Sequence, residues 1–338
     1  MAVSRRKLTH LATIIQGQEM PTIKEVFDKL NATKKLPSPS GTTMKVIQLC
    51  HDEETSLSDI ARVIQTDPAL SAELLKYANA SFLSTGIQVA SVQKAAVKLG
   101  MRTVVNLALG ISLLANNKQG KCRTFDYERF WSTSLLQAIA AKIIAGVQKE
   151  FDPEEIFICA LLSHMRQLAL ASLFPEEYGG LLNEFGFESC GEWGVTSAYD
   201  ILSDNPSNLL RKTLEKDRFQ IDSSELTVEL FLDWGLPAHY ALAAGFHDDL
   251  DYAELGSGTT QKIAELLNLS HQLAKICHQA QPAPAQLGVV EKSVQKFGIG
   301  DGKFGGIYDT IISQWQEWGE IFKIQTRQCP VYNEIMAL

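Results

Sequence analysis

Apolar positions recur along this chain at intervals of three and four residues, with no sustained two-residue alternation competing, so the pattern predicts helices throughout. Within residues 54–65, Leu57, Ile60, Ala61 and Ile64 fall at i, i+3, i+4 and i+7 and mark one apolar face. Ser56-Leu57-Ser58-Asp59 opens that helix like a capping box, with Asp where Glu is usual. Asp67-Pro68 stops it and starts the next, Asp serving as N-cap and Pro as the first helical residue. Leu70, Leu74, Leu75 and Ala78 form the buried stripe of that second helix. A third follows Ser91 and ends at Gly100, and a fourth apolar helix spans 101–115. After a polar stretch at 116–124, helices resume over 127–144 and 153–174, and residues 179–194 read as Gly-rich loop with a short helix. Two further helices flank Trp234-Gly235-Leu236-Pro237. A turn at 281–284 and a Gly-rich loop at 298–306 precede a terminal helix with Ile311, Ile312, Trp315, Trp318 and Phe322 on one broad stripe.

Composition changes this picture little. Of 338 residues, 45% are hydrophobic and 21% charged, enough to build a large core. The 31 basic and 39 acidic residues leave a net charge of −8, which disfavours a nucleic-acid partner, because that affinity comes mainly from Lys and Arg releasing counterions. Residues 56–79 have a helix–turn–helix outline, yet the second helix offers only Glu73 and Lys76 as charges, so base-edge readout is not expected. The cluster Arg5, Arg6 and Lys7 is followed by no apolar run of signal-peptide or transmembrane length, and reads as a solvated terminus without membrane association. Cys50, Cys122, Cys159, Cys190, Cys277 and Cys329 are scattered singly, with no C-x-x-C pair, and read as small hydrophobes in a reducing, cytoplasmic setting.

Several ordered motifs resemble a known family. These are Leu36-Pro37-Ser38-Pro39, Ser56-Leu57-Ser58-Asp59-Ile60-Ala61, Thr66-Asp67-Pro68-Ala69-Leu70-Ser71-Ala72-Glu73-Leu74-Leu75-Lys76-Tyr77-Ala78-Asn79-Ala80-Ser81-Phe82, and Ser91-Val92 through Lys98-Leu99-Gly100-Met101-Arg102. Together they look like the HDOD domain of bacterial signalling proteins, a helical relative of the HD metal-dependent phosphohydrolases, over roughly residues 25–280. Weaker anchors are Phe130-Trp131, Leu161-Leu162, Ile221-Asp222 and Trp234-Gly235-Leu236-Pro237. The expected fold is all-α. An N-terminal helical bundle over residues 20–118 packs on an HD-like helical bundle over 119–338, which includes a C-terminal helical extension.

The resemblance also implies a metal site, a His, a His-Asp doublet and a later Asp, because such ligands hold an ion that acidifies bound water. Carried over, the first His falls at Thr133, the doublet at Ser163-His164, a further His at Ser223 or Ser224, and the last Asp near His271. Only His247 resembles a retained ligand. Both carboxylates are replaced, so the expectation is a degenerate pocket with no catalytic residue, no metal and no cofactor. Convergence of His164, His247 and His271 on one zinc is the sharper alternative; three unrelated histidines are the preferred expectation.

Other chemistries find less support. Ser163 and His164 are neighbours on an expected helix, which points them about 100° apart, and no G-x-S-x-G elbow occurs. Gly300-Asp301-Gly302-Lys303-Phe304-Gly305-Gly306 lacks the order of a phosphate loop. The expected function is non-catalytic bacterial signal transduction through contacts with a protein partner. The Trp315, Trp318 and Phe322 stripe reads first as core, and as a candidate contact surface if it is exposed. The alternatives are a metal-dependent phosphohydrolase acting on a nucleotide and a DNA-binding regulator.

Overall fold

A computed structural model describes residues 23–338 except 51, 53, 81–87, 149, 185–205, 280–281, 301 and 338. Arg5, Arg6, Lys7, the Ser81-Phe82 end of the motif and Cys190 therefore lie outside the described residues. Among those described there are helices and no strand. The first run is α1 (Ile23–Ala32), α2 (Gly41–Cys50), α3 (Leu57–Ile64), α4 (Pro68–Ala78), α5 (Val92–Leu99) and α6 (Met101–Asn116). The second is α7 (Tyr127–Gln148), α8 (Pro153–Leu162), α9 (Met165–Leu173), α10 (Pro175–Glu184), α11 (Pro206–Phe219), α12 (Ser223–Asp233), α13 (Ala238–Phe246), α14 (Thr259–Cys277), α15 (Pro284–Val294), α16 (Phe304–Phe322) and α17 (Tyr332–Met336).

Local chemistry sets the helix ends. Ser56 Oγ accepts from Asp59 N and Asp59 Oδ2 accepts from Ser56 N, each at 3.2 Å, closing the capping box of α3. Leu70 N donates to Asp67 Oδ1 at 3.0 Å, and Pro68 occupies the first turn of α4. Gly100, at φ 82°, takes a conformation that side-chain-bearing residues rarely adopt and lets the chain turn 115° from α5 into α6.

Helix α7 is the centre of the architecture. It packs against α8, α14 and α16, and its buried residues run all round it, from Phe130 and Trp131 through Ile144 and Ala145. A helix apolar on every side belongs in a core or a membrane. Both α7 and the stretch Pro153–Leu173 are long and apolar enough to cross a bilayer, but 72% and 83% of their apolar windows are already buried inside the protein. Their apolar surface is used by the core.

Three expectations need correction. Residues 153–174 do not form one helix: α8 ends at Leu162 and α9 starts at Met165, with Ser163 and His164 in a tight turn between them. Ser163 Oγ donates to Ala160 O at 2.9 Å, three residues back, which competes with helix continuation. Gly179 and Gly180 lie within α10 rather than a loop, where a Cβ on Gly179 would sit 2.6 Å from Thr124 Oγ1. Finally, the terminal aromatic stripe is core, so the alternative of a contact surface there falls. Trp315 and Trp318 are 0% exposed and Phe322 is 8% exposed. Trp315 Nε1 donates to Ser132 O at 3.1 Å, and the Trp318 ring meets Tyr77 and Phe157, each at 4.6 Å between centroids. The stripe pins α16 against α4, α7 and α8.

Candidate functional site

A single buried amide organises the pocket. Gln137 interrupts the apolar run of α7 and is fully buried, so its donors and acceptor must find partners inside the protein. Its Nε2 donates to Ser163 Oγ and to Leu267 O, both at 3.2 Å. The carbonyl partner fixes the amide orientation, leaving Oε1 as acceptor. His164 Nε2 lies 3.0 Å from Gln137 Oε1 and 3.0 Å from His271 Nδ1. The His164 Nε2–H therefore donates to both, and His271 Nδ1 accepts.

His247 joins the cluster from the C-terminal end of α13. Its ring centroid is 4.9 Å from that of His164 and 6.1 Å from that of His271, while His164 and His271 are 4.2 Å apart. His247 Nδ1–H donates to Ala244 O at 2.8 Å, which puts the lone pair on Nε2, a buried atom with no hydrogen-bond partner among the described residues. The three histidines thus form one contacting group, which corrects the expectation that they are unrelated. No hydrogen bond joins Thr133, Ser223 or Ser224 to them among the described residues. Thr133 is part-exposed on α7 one turn before Gln137, and Ser223 and Ser224 are buried at the start of α12, where the Ser224 backbone lies close to Gly245.

A charged layer lies beside the histidines. Arg166 Nη2 pairs with Asp248 Oδ2 at 2.6 Å and Lys212 Nζ with Asp248 Oδ1 at 2.8 Å. Arg166 and Asp248 side chains are only 1% and 6% exposed. Burial by itself would raise the Asp248 carboxyl, but Arg166, His247 and Lys212 hold it well below the usual carboxylate range. Burial pushes the His247 imidazole down to about 4, with Arg166 and Lys212 assisting and Asp248 opposing. Burial likewise holds His271 well below the ordinary histidine value, with Lys275 assisting. Both rings are neutral at pH 7.

These donors do not fit the dinuclear centre of the catalytic relatives. At position 164, where the resemblance implies a carboxylate, stands an imidazole whose Nε2 already serves Gln137 and His271. Among the described residues, no three His, Cys, Asp or Glu side chains are arranged to hold a metal ion.

Comparison with known proteins now places the chain. Residues 36–193 match the HDOD domain. The chain carries an HDOD domain. The match is narrower than the 25–280 span of the motif resemblance. A candidate phosphohydrolase from Shewanella amazonensis SB2B has a similar fold, at 19% identity and a TM-score of 0.63 over 88% of this chain and 97% of that one. An HDOD domain protein of unknown function from Geobacter sulfurreducens gives 15% identity and a TM-score of 0.61 over 89% and 97%. A candidate signal-transduction protein from Marinobacter aquaeolei VT8 gives 19% and 0.59 over 95% of this chain and 65% of that one. No curated protein matches the sequence.

The pocket contains residues that the motifs did not reveal. Gln137 and Lys212 lie outside every motif of the resemblance, while Arg166 and Asp248 flank the His164 and His247 positions without having been given a role. Gln137 carried a readable signal, a lone amide within Leu135-Leu136-Gln137-Ala138-Ile139-Ala140-Ala141. Lys212 carried none, because it lies 36 residues from its partner Asp248 in sequence.

Proposed function

We propose that this HDOD protein is a non-catalytic cytoplasmic signalling protein of bacterial type that works by binding another protein. The observation that supports it is the closure of the pocket. Ser163, His164 and His271, which stand at three of the four ligand positions implied by the HD resemblance, are joined to one another through Gln137. A hydrolytic site needs ligands that hold an ion with an open position for water or substrate. Here Ser163 Oγ, His164 Nε2 and His271 Nδ1 are engaged in one hydrogen-bonded chain with Gln137. We further propose that residues 20–118 and 119–338 act as two subdomains of this signalling unit.

The test is a hydrolysis screen. Full-length protein is assayed with nucleotides, cyclic dinucleotides and phosphodiester substrates, with and without added Mg²⁺, Mn²⁺ or Zn²⁺. No metal-stimulated turnover is expected. Turnover that survives repurification and disappears in His164→Ala would overturn the reading in favour of a metal-dependent phosphohydrolase.

A further inference from the structure

Two cysteines that look unrelated in sequence meet in the fold. Cys277 closes α14, and Cys329 lies in the segment between α16 and α17. Cys329 Sγ donates to the backbone oxygen of Cys277 at 3.3 Å, so the two cysteines meet where α14 ends. Cys277 is fully buried and Cys329 half-buried. The Cys122 and Cys159 thiols are placed differently, facing Thr124 Oγ1 and Tyr240 O.

The segment that carries Cys329 is a strap, residues 323–331, laid across the helices. Its fastenings are mostly polar. Ser132 Oγ donates to Gln325 O at 2.5 Å, Arg327 Nη1 to His278 O at 2.9 Å, and Gln316 Nε2 to Arg327 O at 3.3 Å. The chain then turns into α17 where Tyr332 N donates to Asp309 Oδ1 at 2.8 Å. A segment held by a few partly exposed hydrogen bonds opens more readily than the core beneath it.

We propose that Cys277 and Cys329 form a dithiol that a peroxide oxidises to an intramolecular disulfide, locking the strap onto α14. The half-buried Cys329 sulfur is the reachable one. As the thiolate it attacks one peroxide oxygen, the O–O bond breaks, and hydroxide leaves to be protonated to water. The resulting Cys329 sulfenic acid meets the Cys277 thiol beside it. The Cys277 sulfur displaces the sulfenic oxygen as a second water and the S–S bond forms. Two thiols and one hydrogen peroxide yield one disulfide and two waters, the sulfurs being oxidised and the peroxide oxygens reduced.

The ionisation of the two groups suits these roles. The hydrogen bond with Cys277 lowers the Cys329 thiol against the opposing effect of burial, and Arg327 lowers it further. The same hydrogen bond and burial raise Cys277 well above the ordinary thiol value. Cys329 is thus the more readily ionised attacker and Cys277 the resolving thiol.

The experiment uses the reduced, full-length protein, treated with hydrogen peroxide under native conditions and then blocked with a maleimide in denaturant. Wild type should lose two maleimide additions and about 2 Da, the mass of two hydrogens. Peptide mapping should recover one cross-linked species joining the Cys277 and Cys329 peptides, and dithiothreitol should reverse it. Oxidised protein should also resist carboxypeptidase trimming beyond the strap, whereas Cys329→Ser should be trimmed equally before and after peroxide. In Cys277→Ala, Cys329 should progress to sulfenic or sulfinic acid without a cross-link. Two results overturn the proposal: wild-type Cys329 over-oxidised with Cys277 still free, or a disulfide that joins either residue to a different cysteine.

Discussion

His164 and His271 face each other with 3.0 Å between Nε2 and Nδ1, and Gln137 decides which of them carries the shared proton. Because the Gln137 amide nitrogen is committed to Ser163 Oγ and Leu267 O, its oxygen accepts from His164, and His271 must accept from the same N–H. The HD resemblance assigns a metal-binding carboxylate to position 164. An imidazole there donates a hydrogen bond where a carboxylate would accept one, and the neighbours are arranged to receive it.

Gln137→Met should therefore destabilise the protein although it preserves volume. It removes three buried hydrogen bonds, and part of the loss is absorbed because Ser163 Oγ still donates to Ala160 O and Ser270 Oγ to Leu267 O. The expected cost is about 1–3 kcal/mol by urea denaturation. Combined with His164→Leu, the effects should be non-additive by roughly 0.5–3 kcal/mol, because both residues share one network. Strict additivity would contradict the network.

Stability should fall in mild acid. His247 is depressed to about 4, His278 to about 3, and His271 well below the ordinary value, in each case chiefly by burial. Between the unfolded value near 6.5 and these folded values, the unfolded chain binds more protons, so stability rises with pH across that window and is lost as pH falls through it. Each ring contributes at most about 1.4 kcal/mol per pH unit. Urea midpoints measured from pH 7 down to pH 4 should decline, and His247→Asn should flatten the decline. A midpoint independent of pH over that range would show that the rings are not held neutral.

Asp248→Ala should cost more than its size suggests. It leaves Arg166, which is 1% exposed, without its 2.6 Å partner, and Lys212 without its 2.8 Å partner. Breaking one side of such a buried pair costs about 3–5 kcal/mol. The double change Arg166→Met with Asp248→Leu should be less destabilising than Asp248→Ala alone, since the most deeply buried charge then leaves with its partner and only the more exposed Lys212 loses its carboxylate. Equal losses in the thermal midpoint would argue that the ion pair is not what holds α9 to the loop after α13.

Trp318→Ala should behave as a core mutation rather than a binding mutation. The ring is fully buried against Tyr77 and Phe157, with Lys142 Nζ 5.7 Å from its centroid. Truncation should lower stability by about 3–5 kcal/mol. A folded variant of wild-type stability would place the ring at the surface.

Local patterns carried much of the fold. The Ser56 and Asp59 box, the Asp67-Pro68 junction and the Gly100 turn all stand where short-range chemistry puts them, because each depends on residues within four positions of one another. Less local features were left open or missed. The Trp315, Trp318 and Phe322 stripe has the spacing of an apolar helix face, and spacing states that a face is apolar without stating what covers it. The break at Ser163-His164 was hidden because the residues on both sides keep helical apolar spacing.

The sequence by itself determined that this protein is helical and that it resembles the HDOD family, since both depend on residue type and order. Only the tertiary structure decided that His164, His247 and His271 touch, that Gln137 orients the proton between His164 and His271, that Asp248 is the common partner of Arg166 and Lys212, and that Cys277 meets Cys329. Each of these joins side chains from helices or segments distant along the chain. Their proximity follows from how the helices pack around α7, which is settled by the summed burial of many apolar contacts and leaves no local mark at any one residue.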